Sequence, residues 1–247
     1  LKNIEKEPTA SKYIEADYVL SLPRNDLPSP RKDILKNIEK ELTARKYTEQ
    51  VLLSFIGDVY CETTDDNATT RQALELFLQH DTPIAILTKG GERCLKDIDL
   101  FKRFGANIQI GATLTFYTEE KSFEWENGAA SPNERLSVLK ILHDDGIKTF
   151  ASFEPVIEPA ETIALMKETL RLDCVDTYLI GKLNNYMGMD KRVDWSNFLR
   201  DCLALLRPTG KAIYIKESLR EAASDVKLTA VEQTPDKHFI RTPNKIT

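Results

Sequence analysis

The chain has 247 residues, with 34 Lys or Arg against 39 Asp or Glu, so its net charge at neutral pH is −5. This mildly acidic balance gives no support for a broad nucleic-acid or membrane-binding surface, and a hydrophobic content of 41% is typical of a globular protein. No stretch of about 18 apolar residues is present, which predicts no transmembrane helix. The first residues are polar and rich in lysine, so no secretory signal is visible and a cytoplasmic location is expected.

The chain begins with a segment that it later repeats. Residues 1–15 agree with residues 35–49 at twelve of fifteen positions. A single duplication is not a solenoid, which needs three or more units. The second copy has apolar residues at helical spacing, whereas Pro8 interrupts the first copy. We therefore expect residues 1–15 to be poorly anchored, ahead of a core at 16–220 and a tail at 221–247.

The rest of the chain predicts strands that alternate with helices. The predicted strands are Val51–Ile56, Pro83–Leu87, Asn107–Phe116, Ile147–Phe153, Val175–Ile180 and Ala212–Ile215. The predicted helices between them are Ala68–His80, Arg93–Phe104, Pro132–Asp145, Ala160–Leu172 and Trp195–Leu206. This order predicts parallel βαβ units. A doubly wound open sheet and a full or partial β/α barrel both fit, because periodicity does not separate them. From Glu221 onward the polar sequence predicts an irregular tail.

Several local signals refine these elements. Ser131 and Asp194 are predicted to cap the helices that follow them, and Thr69 or Thr70 stands near the cap of the first helix in the alternation. Trp195, directly after Asp194, is expected to pack on the barrel.

The four cysteines are widely separated and form neither a CxxC pair nor a Cys/His cluster: Cys61, Cys94, Cys174 and Cys202. Such spacing predicts isolated reduced thiols, and by itself it argues against a metal or iron–sulfur site.

Polar side chains follow every predicted strand, and the carboxyl ends of parallel strands meet at one edge of a sheet. These residues are Asp58, Lys89, Thr113, Glu154, Lys182, Asn184 and Lys216. Lysines with threonine and asparagine suit an anionic ligand, either a carboxylate or a phosphate. Glu126 and Arg135 flank a loop and a helix start, and we expect them to form an ion pair of about 0–1 kcal/mol if it is exposed. The patterns GxxxxGK[ST], GxGxxG and GxSxG are all missing.

These segments together resemble the radical S-adenosylmethionine (SAM) superfamily, specifically its spore photoproduct lyase-like proteins. The matching stretches are 51–62, 69–77, 84–100, 111–116, 125–159, 175–185, 194–199 and 214–220. The resemblance implies a partial (β/α)6 barrel that binds SAM. It also implies a four-iron four-sulfur cluster on a CxxxCxxC loop after the first strand, and reductive cleavage of SAM to a 5′-deoxyadenosyl radical.

The resemblance carries the SAM-contacting positions onto nine residues of this chain: Gly57, Asp58, Lys89, Thr113, Thr115, Glu154, Pro155, Lys182 and Asn184. Lys89 matches the lysine that faces the SAM carboxylate, and Thr113 or Thr115 matches the hydroxyl on the ribose side. The charge of a lysine at a strand end agrees with the first of these assignments.

The chain departs from the family where the cluster should be bound. The expected cysteine positions fall near Glu7, Ser11 and Ile14, and none of these side chains replaces a thiolate on iron. The first copy of the repeat stands there, and the first barrel strand is also missing or replaced.

Three interpretations therefore remain open. In the first, the chain comes from a radical SAM enzyme and lacks its cluster loop, so that it is inactive as given. In the second, it is a degenerate barrel that binds SAM or another small anion without radical chemistry. In the third, it is a non-enzymatic scaffold. The family suggests DNA repair and a nucleic-acid substrate, but the fold does not specify a substrate.

Overall fold

A computed structural model of the chain describes residues 32–47, 49–53, 57–63, 65–183 and 189–234. The first copy of the repeat and the expected cysteine positions Glu7, Ser11 and Ile14 lie outside these residues. Within them, no helix is both long enough and apolar enough to cross a membrane.

Six parallel strands form one sheet. They are β1 (Val51–Leu53), β2 (Ile84–Thr88), β3 (Ile108–Thr113), β4 (Lys148–Val156), β5 (Thr177–Lys182) and β6 (Ala212–Ile215). Each strand pairs with the next strand in the chain, so the spatial order is the same as the sequence order.

This order decides between the two predicted architectures. A doubly wound sheet reverses its strand order at a switch point, whereas a β/α barrel adds each strand beside the last. The sheet runs from β1 at one edge to β6 at the other and is not closed. The prediction of a partial (β/α)6 barrel with parallel strands is confirmed.

The helices connect the strands in the expected way. They are α1 (Ile34–Ala44), α2 (Ala68–Gln79), α3 (Ile98–Phe104), α4 (Glu119–Trp125), α5 (Pro132–Asp144), α6 (Pro159–Leu172), α7 (Trp195–Leu206), α8 (Glu217–Ala222) and α9 (Ala230–Gln233). The predicted caps are confirmed: Ser131 accepts from the amide of Glu134, and Asp194 from the amide of Asn197.

Two local predictions were wrong. The predicted helix over 93–104 is a 3-10 turn at Gly91–Asp97 followed by α3, and the change comes at Asp97, whose buried carboxylate accepts from Tyr60 and Arg71. Thr69 stands near the cap of α2 as expected: Asn67 is the N-cap, and the amide and hydroxyl of Thr69 donate to Asp65.

The second difference is at the carboxyl end of the described chain. The polar segment from Glu221 is not wholly irregular, because α9 forms there with a capping box between Thr229 and Glu232. Glu232 also pairs with Arg207 at 2.8 Å and ties α9 to the end of α7. A four-residue helix is too short to show a hydrophobic period, so the sequence pattern did not reveal it.

Two apolar clusters pack between the sheet and its helices. One lies around β2 and β3, including Ile86 and Phe101, and the other around β4 to β6, including Phe153 and Trp195. Side chains alternate along a strand, so the intervening residues lie on the opposite face. That face carries a smaller cluster: Ala85, Phe150, Leu179 and Tyr214, with Leu52 and Leu87 packed against it.

Candidate functional site

The loop after β1 is bound to the end of β2 by one carboxylate. Asp58 accepts from the hydroxyl of Thr88 at 2.6 Å, from the amide of Tyr60 at 2.9 Å and from the amide of Lys89. This part of the loop is therefore fixed to the carboxyl end of β2, and the Lys89 backbone has a defined position. Asp58 thus acts within the protein as an acceptor for three donors.

The Lys89 side chain lies against a buried carboxylate. Its Nζ is 2.8 Å from Oε1 of Glu126, which follows α4. The Glu126 side chain is 4% exposed, whereas that of Lys89 is 27% exposed. The same Oε1 atom accepts from the Thr115 hydroxyl at 3.0 Å, and Oε2 accepts from Ser122 at 2.9 Å. Lys89 is thus the solvent-facing member of a polar cluster at the carboxyl edge of the sheet.

Arg135 completes this cluster from α5. Its guanidinium donates to Oε2 of Glu126 at 2.8 Å, and also to the backbone carbonyls of Ala130 and Thr113. The predicted ion pair between Glu126 and Arg135 is confirmed, but it is buried, with Arg135 only 1% exposed. The expectation of a small surface contribution therefore does not apply, because loss of one partner would leave the other charge buried and uncompensated.

The charges of this cluster keep its carboxylate ionised. Burial alone raises the pKa of Glu126, but the adjacent Lys89 and Arg135 cations outweigh burial and lower it to about 2. Of the two cations in this cluster, Lys89 is the one with a partly exposed side chain, so an anionic ligand would contact its ammonium.

A second ion pair lies further along the same edge. Lys216, directly after β6, binds Glu154 near the end of β4, and the pair crosses β5 at Gly181. Glu154 is four residues after Phe150 and Lys216 is two residues after Tyr214, so both charged side chains share the face of the smaller cluster, opposite the main helix-packed clusters. The carboxyl edge of the sheet therefore carries one charged cluster beside β2 and a second ion pair between β4 and β6.

The remaining predicted site residues are more dispersed. Lys182 donates to the carbonyl of Leu183 and lies 6.0 Å from the ring of Trp195, on the helix-covered side of the sheet. Thr113 is buried and offers its carbonyl to Arg135, and Pro155 is buried after a cis peptide bond. Gly57 is exposed. Asn184 lies outside the described residues.

The structure thus brings together Lys89 and Thr115 through Glu126, and it pairs Glu154 with Lys216. The sequence reasoning missed the central position of Glu126 and Arg135. A signal was present, because Arg135 begins the apolar stripe that continues with Val138, Leu139 and Leu142. An arginine in a buried stripe requires an acidic partner, and the preceding loop supplies Glu126.

The described residues do not provide a ligand set for an iron–sulfur cluster. No three His, Cys, Asp or Glu side chains within them are grouped so that they could hold a metal ion. Three of the four cysteines are buried, and burial raises the pKa of Cys94 to about 12 and that of Cys174 to about 11. Cluster iron is held by thiolates, so these buried thiols are poor ligands.

Comparison with solved structures identifies similar folds. SuiB of Streptococcus suis bound to S-adenosylmethionine superposes with a TM-score of 0.50 and 12% identity, over 73% of this chain and 42% of SuiB. A spore photoproduct lyase variant gives a TM-score of 0.51 and 16% identity, over 64% of this chain and 48% of the lyase. Another lyase variant, with dinucleoside spore photoproduct, superposes with a TM-score of 0.50 and 15% identity, over 71% of this chain and 51% of the lyase.

The chain shares with these proteins the fold of an open, all-parallel α/β barrel. No family model matches the sequence. An uncharacterized protein of Methanocaldococcus jannaschii is 31% identical over 108 residues, which is 44% of this chain and 40% of that protein. The chain therefore spans about 40–50% of the length of these similar proteins.

Proposed function

We propose that this chain is the SAM-binding barrel of a radical SAM protein and that SAM binds at the carboxyl edge of its sheet. The observation that carries the proposal is the accessible Lys89 ammonium at that edge, in a fold shared with a protein bound to S-adenosylmethionine. An ammonium group at the end of a parallel strand is a suitable partner for the SAM carboxylate.

The other residues of the edge have different roles in this proposal. Asp58 fixes the Lys89 backbone, and Glu126 fixes its side chain. Glu154 and Lys216 form an ion pair without net charge, and in this proposal it lies beside the part of SAM that is remote from the carboxylate. Gly57, Thr113, Thr115, Pro155, Lys182 and Asn184 remain candidate contacts by resemblance, with Thr113 or Thr115 on the ribose side.

The iron–sulfur cluster belongs to the proposal only at the level of the family. In such proteins the bound cluster supplies the electron that cleaves SAM. The residues described here do not fit a cluster, so we assign SAM binding to this chain and no radical step. A nucleic-acid substrate stays a prediction, and the net charge of −5 does not favour a broad nucleic-acid surface.

Isothermal titration of the chain with SAM tests the proposal. We expect saturable binding, and Lys89→Ala should weaken it by about tenfold or more, since a charge-assisted hydrogen bond is lost. Lys102→Ala is the matched control, because Lys102 pairs with Asp145 near the opposite edge of the sheet and should leave the affinity unchanged. An absence of SAM binding by the wild-type chain, or equal loss in both variants, would contradict the proposed site.

The second candidate is a cluster-free SAM-binding barrel, and the described residues hold no group of three side chains placed to bind a metal ion. Anaerobic reconstitution with iron and sulfide separates the two candidates. A chain that stays colourless and does not cleave SAM under dithionite, yet binds SAM, is the cluster-free case. Iron–sulfur absorption with SAM cleavage would show that residues outside the described part of the chain supply a cluster.

A further inference from the structure

We propose that Glu126 determines the specificity of the anion subsite at Lys89, restricting it to a carboxylate and disfavouring a phosphate. The inference rests on the proposed SAM site and adds to it a preference for one class of anion. The sequence leaves carboxylate and phosphate equally open, because a lysine at a strand end suits both.

The first step of the argument is that the Glu126 carboxylate is held in place. Four side-chain groups contact it, from Lys89, Thr115, Ser122 and Arg135, at distances of 2.8 to 3.3 Å. The side chain is also 4% exposed. Glu126 therefore has neither the space nor the free hydrogen-bonding capacity to swing away when a ligand arrives.

The second step is that this carboxylate keeps its negative charge. The Lys89 and Arg135 cations outweigh the effect of burial and hold the pKa of Glu126 at about 2, far below neutrality. A ligand oxygen that contacts the Lys89 ammonium comes within about 5–6 Å of Oε1 of Glu126, since each partner lies about 2.8 Å from Nζ. The ligand then experiences like-charge repulsion in a partly buried site.

The third step is that the second cation of the cluster already has its partners within the protein. Arg135 is 1% exposed and donates to the carbonyls of Ala130 and Thr113 as well as to Glu126, so a ligand on Lys89 does not contact its guanidinium. Asp58 adds another carboxylate at the Lys89 backbone. Because repulsion grows with the charge of the ligand, a phosphate dianion is disfavoured more than a carboxylate.

Titration with two matched ligands tests this inference. They are S-adenosylhomocysteine and its analogue in which a phosphonate replaces the carboxylate, measured at pH 8 and constant ionic strength. We expect the wild-type chain to prefer the carboxylate ligand. Glu126→Gln removes the charge and should reduce the preference on the order of tenfold, mainly by improving phosphonate binding. If Glu126 had a purely structural role, the substitution would lower the affinity for both ligands by the same factor.

Two further variants make the result decisive. Glu161→Gln removes a carboxylate that binds Thr118 and Lys121 but is not in contact with Lys89, so it should leave the preference unchanged. If Glu126→Gln alone does not fold because Arg135 is left unpaired, Glu126→Gln with Arg135→Met removes both charges of the buried pair and should shift the preference in the same direction.

The outcomes are distinct. If the wild-type chain binds S-adenosylhomocysteine and the preference is the same in the Glu126 variants, the inference is wrong while the proposed SAM site stands. If the wild-type chain binds neither ligand, the proposed SAM site itself is wrong.

Discussion

A Cβ atom built on Gly181 would lie 2.5 Å from Oε1 of Glu154. The missing side chain at this one position of β5 therefore allows Glu154 to reach across the strand. The same Cβ atom would lie 2.9 Å from Cδ of Lys216, the ion-pair partner of Glu154. The glycine is thus a condition for the charged pair at the carboxyl edge of the sheet.

We therefore expect Gly181→Ala to displace the Glu154–Lys216 pair and to destabilise the chain by up to about 1 kcal/mol, because the atoms in its way are the ends of two flexible side chains that can shift. Urea unfolding followed by circular dichroism measures the change. Gly57→Ala is the control, because a Cβ atom there meets nothing within 4 Å, and it should change the free energy of unfolding by less than about 0.5 kcal/mol. Equal stability of both variants would show that the edge accommodates the methyl group.

Acid sensitivity provides a second prediction, from Glu126. Its pKa is lowered to about 2 in the folded chain and is about 4.3 when unfolded, so its ion pairs stabilise the fold above the unfolded value. This contribution, on the order of 3 kcal/mol, should be lost as the pH falls from about 4.5 through 2. The measurement is the free energy of unfolding against pH for wild type and Glu126→Gln. The variant should be less stable at pH 7 and show a shallower fall, and parallel curves would refute the assignment.

Asp58 provides a third prediction, since it accepts from Thr88, Tyr60 and the Lys89 amide. Asp58→Ala should leave these donors without their acceptor and lower the free energy of unfolding by about 1–3 kcal/mol. Hydrogen exchange should quicken most at the amides of Tyr60 and Lys89. Asp65→Ala is a suitable comparison, because Asp65 binds Thr69 in α2 and has no contact with Lys89. Unchanged protection at Lys89 in Asp58→Ala would contradict this role.

Thiol reactivity provides a fourth prediction. Cys94, Cys174 and Cys202 are buried, and burial raises the pKa of each thiol, whereas Cys61 is partly exposed. A thiol reagent should therefore modify one cysteine of the native chain quickly and all four after denaturation. Cys61→Ser should abolish the fast reaction. Rapid modification of several thiols in the native chain would show that the buried cysteines are accessible.

The strands and most helices follow from local patterns in the sequence. Apolar runs such as Ile84–Thr88 and Thr177–Lys182 are buried on both faces, so their composition alone distinguishes them from the amphipathic helices. Capping at Ser131 and Asp194 also depends only on neighbouring residues. The same patterns do not predict the order of the strands in the sheet, because periodicity within a strand contains no information on its neighbours. That order, seen in the structure, distinguished the partial barrel from the doubly wound sheet.

The candidate site divides in the same way. The sequence by itself determined that Lys89, Glu154 and Lys216 stand at strand ends, and hence at one edge of a parallel sheet. Only the tertiary structure decided that Glu126 lies between Lys89 and Arg135, and that Glu154 reaches Lys216 across Gly181. The physical reason is that an ion pair depends on distance and burial, and these are fixed when segments far apart in the chain pack together.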